Sequence, residues 1–405
     1  AGVFWAGYAI GGIIPGSLSA LVIVGCPAFL YFGRQATTDM PTLAMTILSV
    51  AAGLWAMRPH RRPPSRQRQG LGYTVCGLAL GAAVLCGGPG ALPPAFIPVM
   101  LIGLLAPQRA AHATGLFAAA ALALLLVTPW AALVLAHDPD AWRTWIELIA
   151  PPQWEGLGAH LRLVGWRIVL VLLAILPWSL WLLFAIAQPF STSSVGWRSR
   201  MFIGWAWFVT VFSMLIVLPG VGLLHEMLLA LPAAAVLIGQ LFRRLVDLSS
   251  EGRHARLWRI GRWVTVIFCL AVSVAVPLVL ALQEPLIERG YLAGRIALPM
   301  HGSYHVGVGL GLVAISVVGL RYAARHYPGK ALLCWAVWSV VLTAAIASPV
   351  ARGPLMRAGE SEPPPPRIET AWASGDADEP AQARTARTRR SASIGDPFAR
   401  VATSR

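Results

Sequence analysis

Charge is what this sequence has least of. Charged residues make up 12% of the chain and hydrophobic residues 57%, where an ordinary globular domain carries about 25% charged residues. So little charge excludes a water-soluble domain. Apolar runs of about 17 to 25 residues recur from the start to near Val350, each long enough to cross a hydrocarbon core roughly 30 Å thick. In lipid such runs must be helices, because the backbone finds no water to bond. The expected fold is all-α: a polytopic transmembrane bundle with an aqueous cavity at one face.

Three further absences narrow the class. No two of the five cysteines (Cys26, Cys76, Cys86, Cys269, Cys334) form a CxxC, and all lie in apolar runs, which excludes a disulfide frame or metal knuckle and reads them as buried packing residues. The chain opens at Ala1 without a basic n-region or cleavage site, so a truncated start is expected rather than a signal peptide. No convincing internal repeat is present, which disfavours a transporter built from matched halves. The net charge of +15 suggests nucleic acid at first sight, but most arginines sit in short loops, where membrane orientation explains them and no nucleic-acid partner is needed.

Eleven spans are expected, at roughly 14–32, 40–57, 71–87, 91–106, 114–136, 163–186, 201–218, 226–242, 263–282, 303–320 and 331–349, with residues 1–13 the end of an earlier helix broken at "GGIIPG". Alternating sides then give seventeen Lys and Arg in one set of loops (58–70, 107–113, 187–200, 243–262, 321–330) and five in the other. The first set is therefore cytoplasmic. Asp39, Asp138, Asp140, Glu147, Glu155, Glu226, Glu284 and Glu288 fall on the opposite side, which places any chemistry at the outer face. Residues 1–350 are read as one transmembrane domain lacking its N-terminal part. Residues 351–405, rich in Pro and Arg, are read as a disordered tail. Parity puts that tail outside, whereas its nine arginines favour the cytoplasm.

Several stretches carry competing expectations. In "HDPDAWRTWIELIAPPQWEG" (137–156), Trp142, Trp145, Ile146 and Ile149 recur at helical spacing, as in an interfacial helix, or the stretch is a plain loop. His301 and His305 in "MHGSYH" have a metal-compatible spacing without a third ligand, so hydrogen-bonded interface histidines are favoured. Gly307 and Gly311 in "GVGLG" lack the strand context of a dinucleotide fingerprint and point to close helix packing. The stretch "RRLVDLSSEGRHARLWRIGR" (243–262) sets Leu257, Trp258 and Ile260 among basic residues, as in a helix on anionic lipid, or simply supplies orientation charge.

The most informative stretch is "YFGRQATTDMPT" (31–42), which puts Arg34 and Asp39 between two apolar runs. Ionisable residues at such a depth mark functional sites by default, although mutual pairing or snorkelling to interfacial water also accounts for them. In "LHEM" (224–227), His225 and Glu226 stand at the mouth of a span on the same side, either as site residues or as an interfacial capping pair.

These segments resemble a family. "LYFGRQATTDMPTLA" looks like the second acidic motif of the GT-C glycosyltransferases related to protein O-mannosyltransferases and the lipid A aminoarabinose transferase. "GLALGAAVLCGGPGALPP" (77–94), "LLLVTPWAALV" (124–134), "LAILPWSLWLL" (173–183), "FIGWAWFVTVFS" (202–213) and "HEMLLALPAAA" (225–235) resemble later family segments in order. The resemblance covers roughly residues 14–242. It implies transfer of a sugar from a polyprenyl-phosphate donor to a lipid or protein acceptor at the extracytoplasmic face of a bacterial-type inner or plasma membrane. It implies Asp39 as the catalytic or metal-binding acid, Arg34 and His225 on the donor phosphate, and Glu226 as an accessory group, with a divalent metal possible.

The pattern also departs from the family. Its first loop acid would precede Ala1, Gly87 stands where a lysine is usual, residues 217–224 contain no basic residue, and Glu226 replaces a tyrosine. The sequence thus supports a membrane glycosyltransferase first. A degenerate scaffold of the same fold, or a transporter using the same charges, are the alternatives.

Overall fold

The computed structural model describes residues 1–33, 39–57, 65–106, 109–149, 157–191, 195–217, 223–250, 263–273, 302–324 and most of 330–342. Among them every regular element is helical: α1 (Gly2–Gly11), α2 (Ile13–Val24), α3 (Pro27–Gly33), α4 (Asp39–Met57), α5 (Arg66–Gly87), a single 3-10 turn (Pro89–Ala91), α6 (Leu92–Leu105), α7 (Arg109–His137), α8 (Ala141–Ile149), α9 (Leu157–Ala174), α10 (Ser179–Ser191), α11 (Val195–Val217), α12 (Leu223–Ser250) and α14 (Gly302–Ala324), with α13 (Trp263–Ser273) between the last two. The residues after Ala351, including the expected tail, lie outside the described residues.

α12 is the central helix. Ala230, Leu231, the run 233–238 and Leu241 are fully enclosed, because small residues let neighbours approach closely. A Cβ added at Gly239 would stand 2.2 Å from Ser19 Oγ and 2.8 Å from the Ser19 backbone nitrogen, so α2 rests directly on the α12 backbone. The buried Gln240 Nε2 donates to the Gly7 carbonyl at 3.4 Å, tying α12 to α1. A second cluster packs α4 on α5, and α5 on α7. In it, Tyr73 Oη and His112 Nδ1 share a buried hydrogen bond of 2.8 Å.

Five helices, α4, α5, α7, α11 and α12, are long and apolar enough to cross a membrane, and α9 with α10 makes a sixth if the pair counts as one bent span. The chain is an integral membrane protein. The described residues do not confirm the expected count of eleven spans, and they redraw several of them. The span 163–186 is a bend of 111° between α9 and α10, where "ILPW" interrupts the helix and Pro177 has no N–H to continue it. The span 14–32 divides into α2 and α3 at Gly25 and Cys26. The span 226–242 runs on to Ser250, its polar extension held by an Arg243–Asp247 ion pair of 2.8 Å one turn apart. The expected break at "GGIIPG" does occur, at Gly12, whose φ of 98° is accessible mainly to glycine.

Two readings of small features change. Cys86, expected to be buried, is exposed, since it falls in the last turn of α5 beside the glycine loop. A Cβ at Gly311 would meet nothing within 4 Å among the described residues, so the expected close helix contact is not seen among them. Within the stretch 137–156, Ala141–Ile149 forms a helix, α8, with Trp142 and Ile146 exposed and Trp145 stacked on Trp130 at 5.4 Å, and residues 150–156 lie outside the described residues. His301 and residues 251–262 lie outside the described residues, and only the backbone of His305 and Gly307 is described.

Candidate active site

α3 ends at Gly33 and α4 begins at Asp39; Arg34 lies in the interval outside the described residues. Asp39 is half-buried in the first turn of α4, where an acid is favoured by the partial positive charge of the helix end. Pro41 is accommodated there because the first helical N–H groups have no partner within the helix.

The second wall comes from "CGGPG". α5 stops at Gly87, and Gly88, with φ 72°, turns the chain into the 3-10 turn that opens α6. Pro89 suits the first position of that turn, since φ is already fixed near the helical value. The Ala91 N–H donates to the Gly88 carbonyl at 3.1 Å, closing the loop. α8 packs against the same turn.

The third wall is α12. Leu228 and Leu229 follow His225 and Glu226 by about one helical turn. Together with Asp39, Thr42, Leu43, Gly87, Gly90 and Ala91 they line a cleft of about 160 Å³. Three segments separated widely in sequence, "TTDMPT", "CGGPG" and "HEMLLALP", therefore meet at one place. His225 and Glu226 lie in the first turn of α12, of which only the backbone is described. Asp39 contributes a side chain to the cleft directly.

The lysine missing from position 87 has a steric counterpart. A Cβ there would fall 2.4 Å from Thr42 Cγ2 and 2.7 Å from Thr42 Oγ1. α4 and α5 have closed over the space a side chain would need. Lys330 is the only lysine among residues 1–405, and none lines the described cleft.

Next to the cleft lies a larger apolar cavity of about 550 Å³ between α1, α2, α3 and α4. Leu43 lines both spaces, and Gly33 and Met40, which flank the Arg34 to Asp39 segment, line the cavity.

Hydropathy reading passed over one residue, Arg167. It is 2% exposed within α9, and its guanidinium donates to the Leu215 carbonyl near the end of α11, whose last carbonyls lack partners within the helix. The signal was present, a lone arginine inside the run "LVGWRIVLVLL". Among the described residues no three His, Cys, Asp or Glu side chains group as a metal site would require. Asp39 is the one such side chain among the described residues lining the cleft.

No protein-family model matches the chain. It is 26% identical over 349 residues to the undecaprenyl phosphate-alpha-4-amino-4-deoxy-L-arabinose arabinosyl transferase of Edwardsiella ictaluri (strain 93-146), covering 82% of this chain and 57% of the relative. Its fold matches the crystal structure of ArnT from Cupriavidus metallidurans in the apo state, with a TM-score of 0.58 at 16% identity over 85% of this chain and 59% of that one. The same ArnT bound to undecaprenyl phosphate gives a TM-score of 0.59 at 16% identity, over 86% and 61% of the two chains. The chain thus spans less than two thirds of the length of these relatives. The resemblance to GT-C glycosyltransferases is borne out, and the described bundle has the fold of an aminoarabinose transferase of that type.

Proposed function

We propose that this protein is a membrane glycosyltransferase that takes a sugar from a polyprenyl-phosphate donor and passes it to an acceptor at the extracytoplasmic face. The carrying observation is the cleft in which Asp39, the "CGGPG" loop and the start of α12 converge. The adjoining apolar cavity suits a lipid-linked donor, since an isoprenoid chain needs apolar walls next to the polar reacting end.

In this reading the acceptor oxygen attacks the anomeric carbon as the bond from that carbon to the phosphate oxygen breaks. Polyprenyl phosphate departs with the electron pair, and the acceptor proton passes to Asp39. Charge grows on the leaving phosphate, so cationic or hydrogen-bonding groups aimed at it lower the barrier most. Arg34 supplies a fork matched to phosphate oxygens, His225 supplies a second donor, and Glu226 is an accessory group. The Edwardsiella relative is an undecaprenyl phosphate-alpha-4-amino-4-deoxy-L-arabinose arabinosyl transferase, and the Cupriavidus ArnT binds undecaprenyl phosphate, which supports a donor of this class.

One observation favours a second reading, a catalytically silent scaffold of the same fold: the space at position 87 is closed by Thr42. The experiment is to place the full-length protein in liposomes with a panel of polyprenyl-phosphate sugars and of lipid and protein acceptors, and measure released polyprenyl phosphate. Release with any donor supports the transferase. Failure with all donors, by protein that remains folded, supports the scaffold.

A further inference from the structure

A third concavity, of about 460 Å³, lies away from the Asp39 cleft, where α1, α4 and α5 meet. Its floor is made of small residues, because Gly72 brings α5 onto α4: a Cβ at Gly72 would stand 2.7 Å from Ala56 Cβ. Its rim is large and apolar. Trp5 is 48% exposed and Leu71 58%, Tyr8 meets Trp5 edge to face at 5.5 Å, and Trp55 closes one end.

That end is basic. The Arg68 guanidinium stacks on the Trp55 ring at 4.4 Å and donates to the Trp55 carbonyl at 3.4 Å. Arg66, two residues earlier in the same first turn of α5, is exposed. Both belong to the stretch 58–70, whose five arginines assign it to the cytoplasmic side.

We propose that this groove is a binding site for one anionic phospholipid of the cytoplasmic leaflet. Two of the three helices forming it, α4 and α5, are long and apolar enough to cross a membrane, so the medium that fills an apolar, outward-opening groove along them is lipid. Aromatic side chains at one end and arginines at the same depth match the boundary between acyl chain and headgroup. An anionic phosphate there meets Arg66 and Arg68, while a zwitterionic headgroup brings its own positive charge to the same place. Basic pockets between helices at this leaflet are a recognised means of selecting acidic lipids. The proposal does not depend on what the Asp39 cleft does.

The test uses the purified full-length protein exchanged into equal mixtures of phosphatidylglycerol and phosphatidylcholine, with retained lipid counted by native mass spectrometry. One phosphatidylglycerol is expected to be retained with at least about tenfold preference, the scale of two basic residues near an anionic surface. Arg66→Gln with Arg68→Gln should abolish the preference. Leu71→Trp, a change at an exposed position that fills the groove and keeps both charges, should abolish retention. Equal retention of the two lipids, or a preference that survives either variant, would overturn the proposal. Recovery of a dimer that Leu71→Trp dissociates would overturn it too, by giving the groove to a second copy of the chain.

Discussion

The two ends of α4 are built from opposite materials. At the Asp39 end its first turn faces Gly87, Gly90 and Ala91, small residues that bring backbones so close that a Cβ at position 87 would collide with Thr42. At the Trp55 end the same helix meets Gly72 on a floor of small residues, rimmed by Trp5, Tyr8 and Leu71, with Arg68 stacked on Trp55. The helix is apolar throughout its middle, so hydropathy does not separate the ends. Both ends have a close glycine contact, at Gly87 and at Gly72; what separates them is the surround, a small cleft in which one acid is the charged group among the lining residues at one end and a wide rim of Trp5, Tyr8, Trp55 and Leu71 open to lipid at the other.

Perturbing each end in turn tests that contrast. The largest effect belongs to the Asp39 cleft: Leu229→Trp, which fills it from α12, should lower sugar transfer by at least about 100-fold, the scale of losing a positioned catalytic contact, with the protein still folded by thermal melting in detergent. Gly87→Val should come next. Its β-carbon collides with Thr42, and overpacking of this kind costs about 1–3 kcal/mol, read as a lower melting temperature, while Gly87→Val with Thr42→Ala recovers part of the loss. At the other end, Trp55→Ala removes the ring under Arg68, an exposed to half-buried cation–π contact of about 0.5–1 kcal/mol plus the apolar area of the ring. It should lower melting modestly and leave transfer within about twofold, the scale of a change outside the reacting site. Smallest of all, Leu125→Ala on α7, at a position 71% exposed, should stay within about 0.5 kcal/mol. An effect of Trp55→Ala on transfer as large as that of Leu229→Trp would erase the distinction between the ends.

Helical class and membrane residence were legible because apolar runs and the asymmetry of arginine follow from solvation alone. The burial of each helix was not. α7 and α12 both read as apolar spans, yet α7 exposes Phe117, Leu124 and Leu133 while the middle of α12 is enclosed. Alanine content does not tell them apart, since α7 is the richer in alanine; the difference lies in which helices are neighbours, as where Gly239 lets α2 approach α12. The α9–α10 bend hid behind "LAILPWSLWLL" because its residues are apolar on both sides of Pro177. Breaks at Gly12 and Gly88 were easier, since glycine and proline mark them locally. At the site, Asp39 and the "CGGPG" and "HEMLL" segments were legible through their resemblance to a family. That Thr42 occupies the space beside Gly87 was not, because the contact joins α4 to α5 across 45 residues of sequence. Arg167 was visible as a misplaced charge, but its partner, the Leu215 carbonyl, was not.

The central claim is that Asp39 acts on the reacting groups rather than merely beginning α4. The direct measurement compares the full-length wild type with Asp39→Asn, a change that keeps shape and helix-end hydrogen bonding, for sugar transfer and for binding of polyprenyl phosphate in the same membranes. The account predicts transfer reduced by about 10²-fold or more, with binding and melting temperature nearly unchanged. Transfer by Asp39→Asn at the wild-type rate would reduce Asp39 to a helix-end residue and place the chemistry elsewhere.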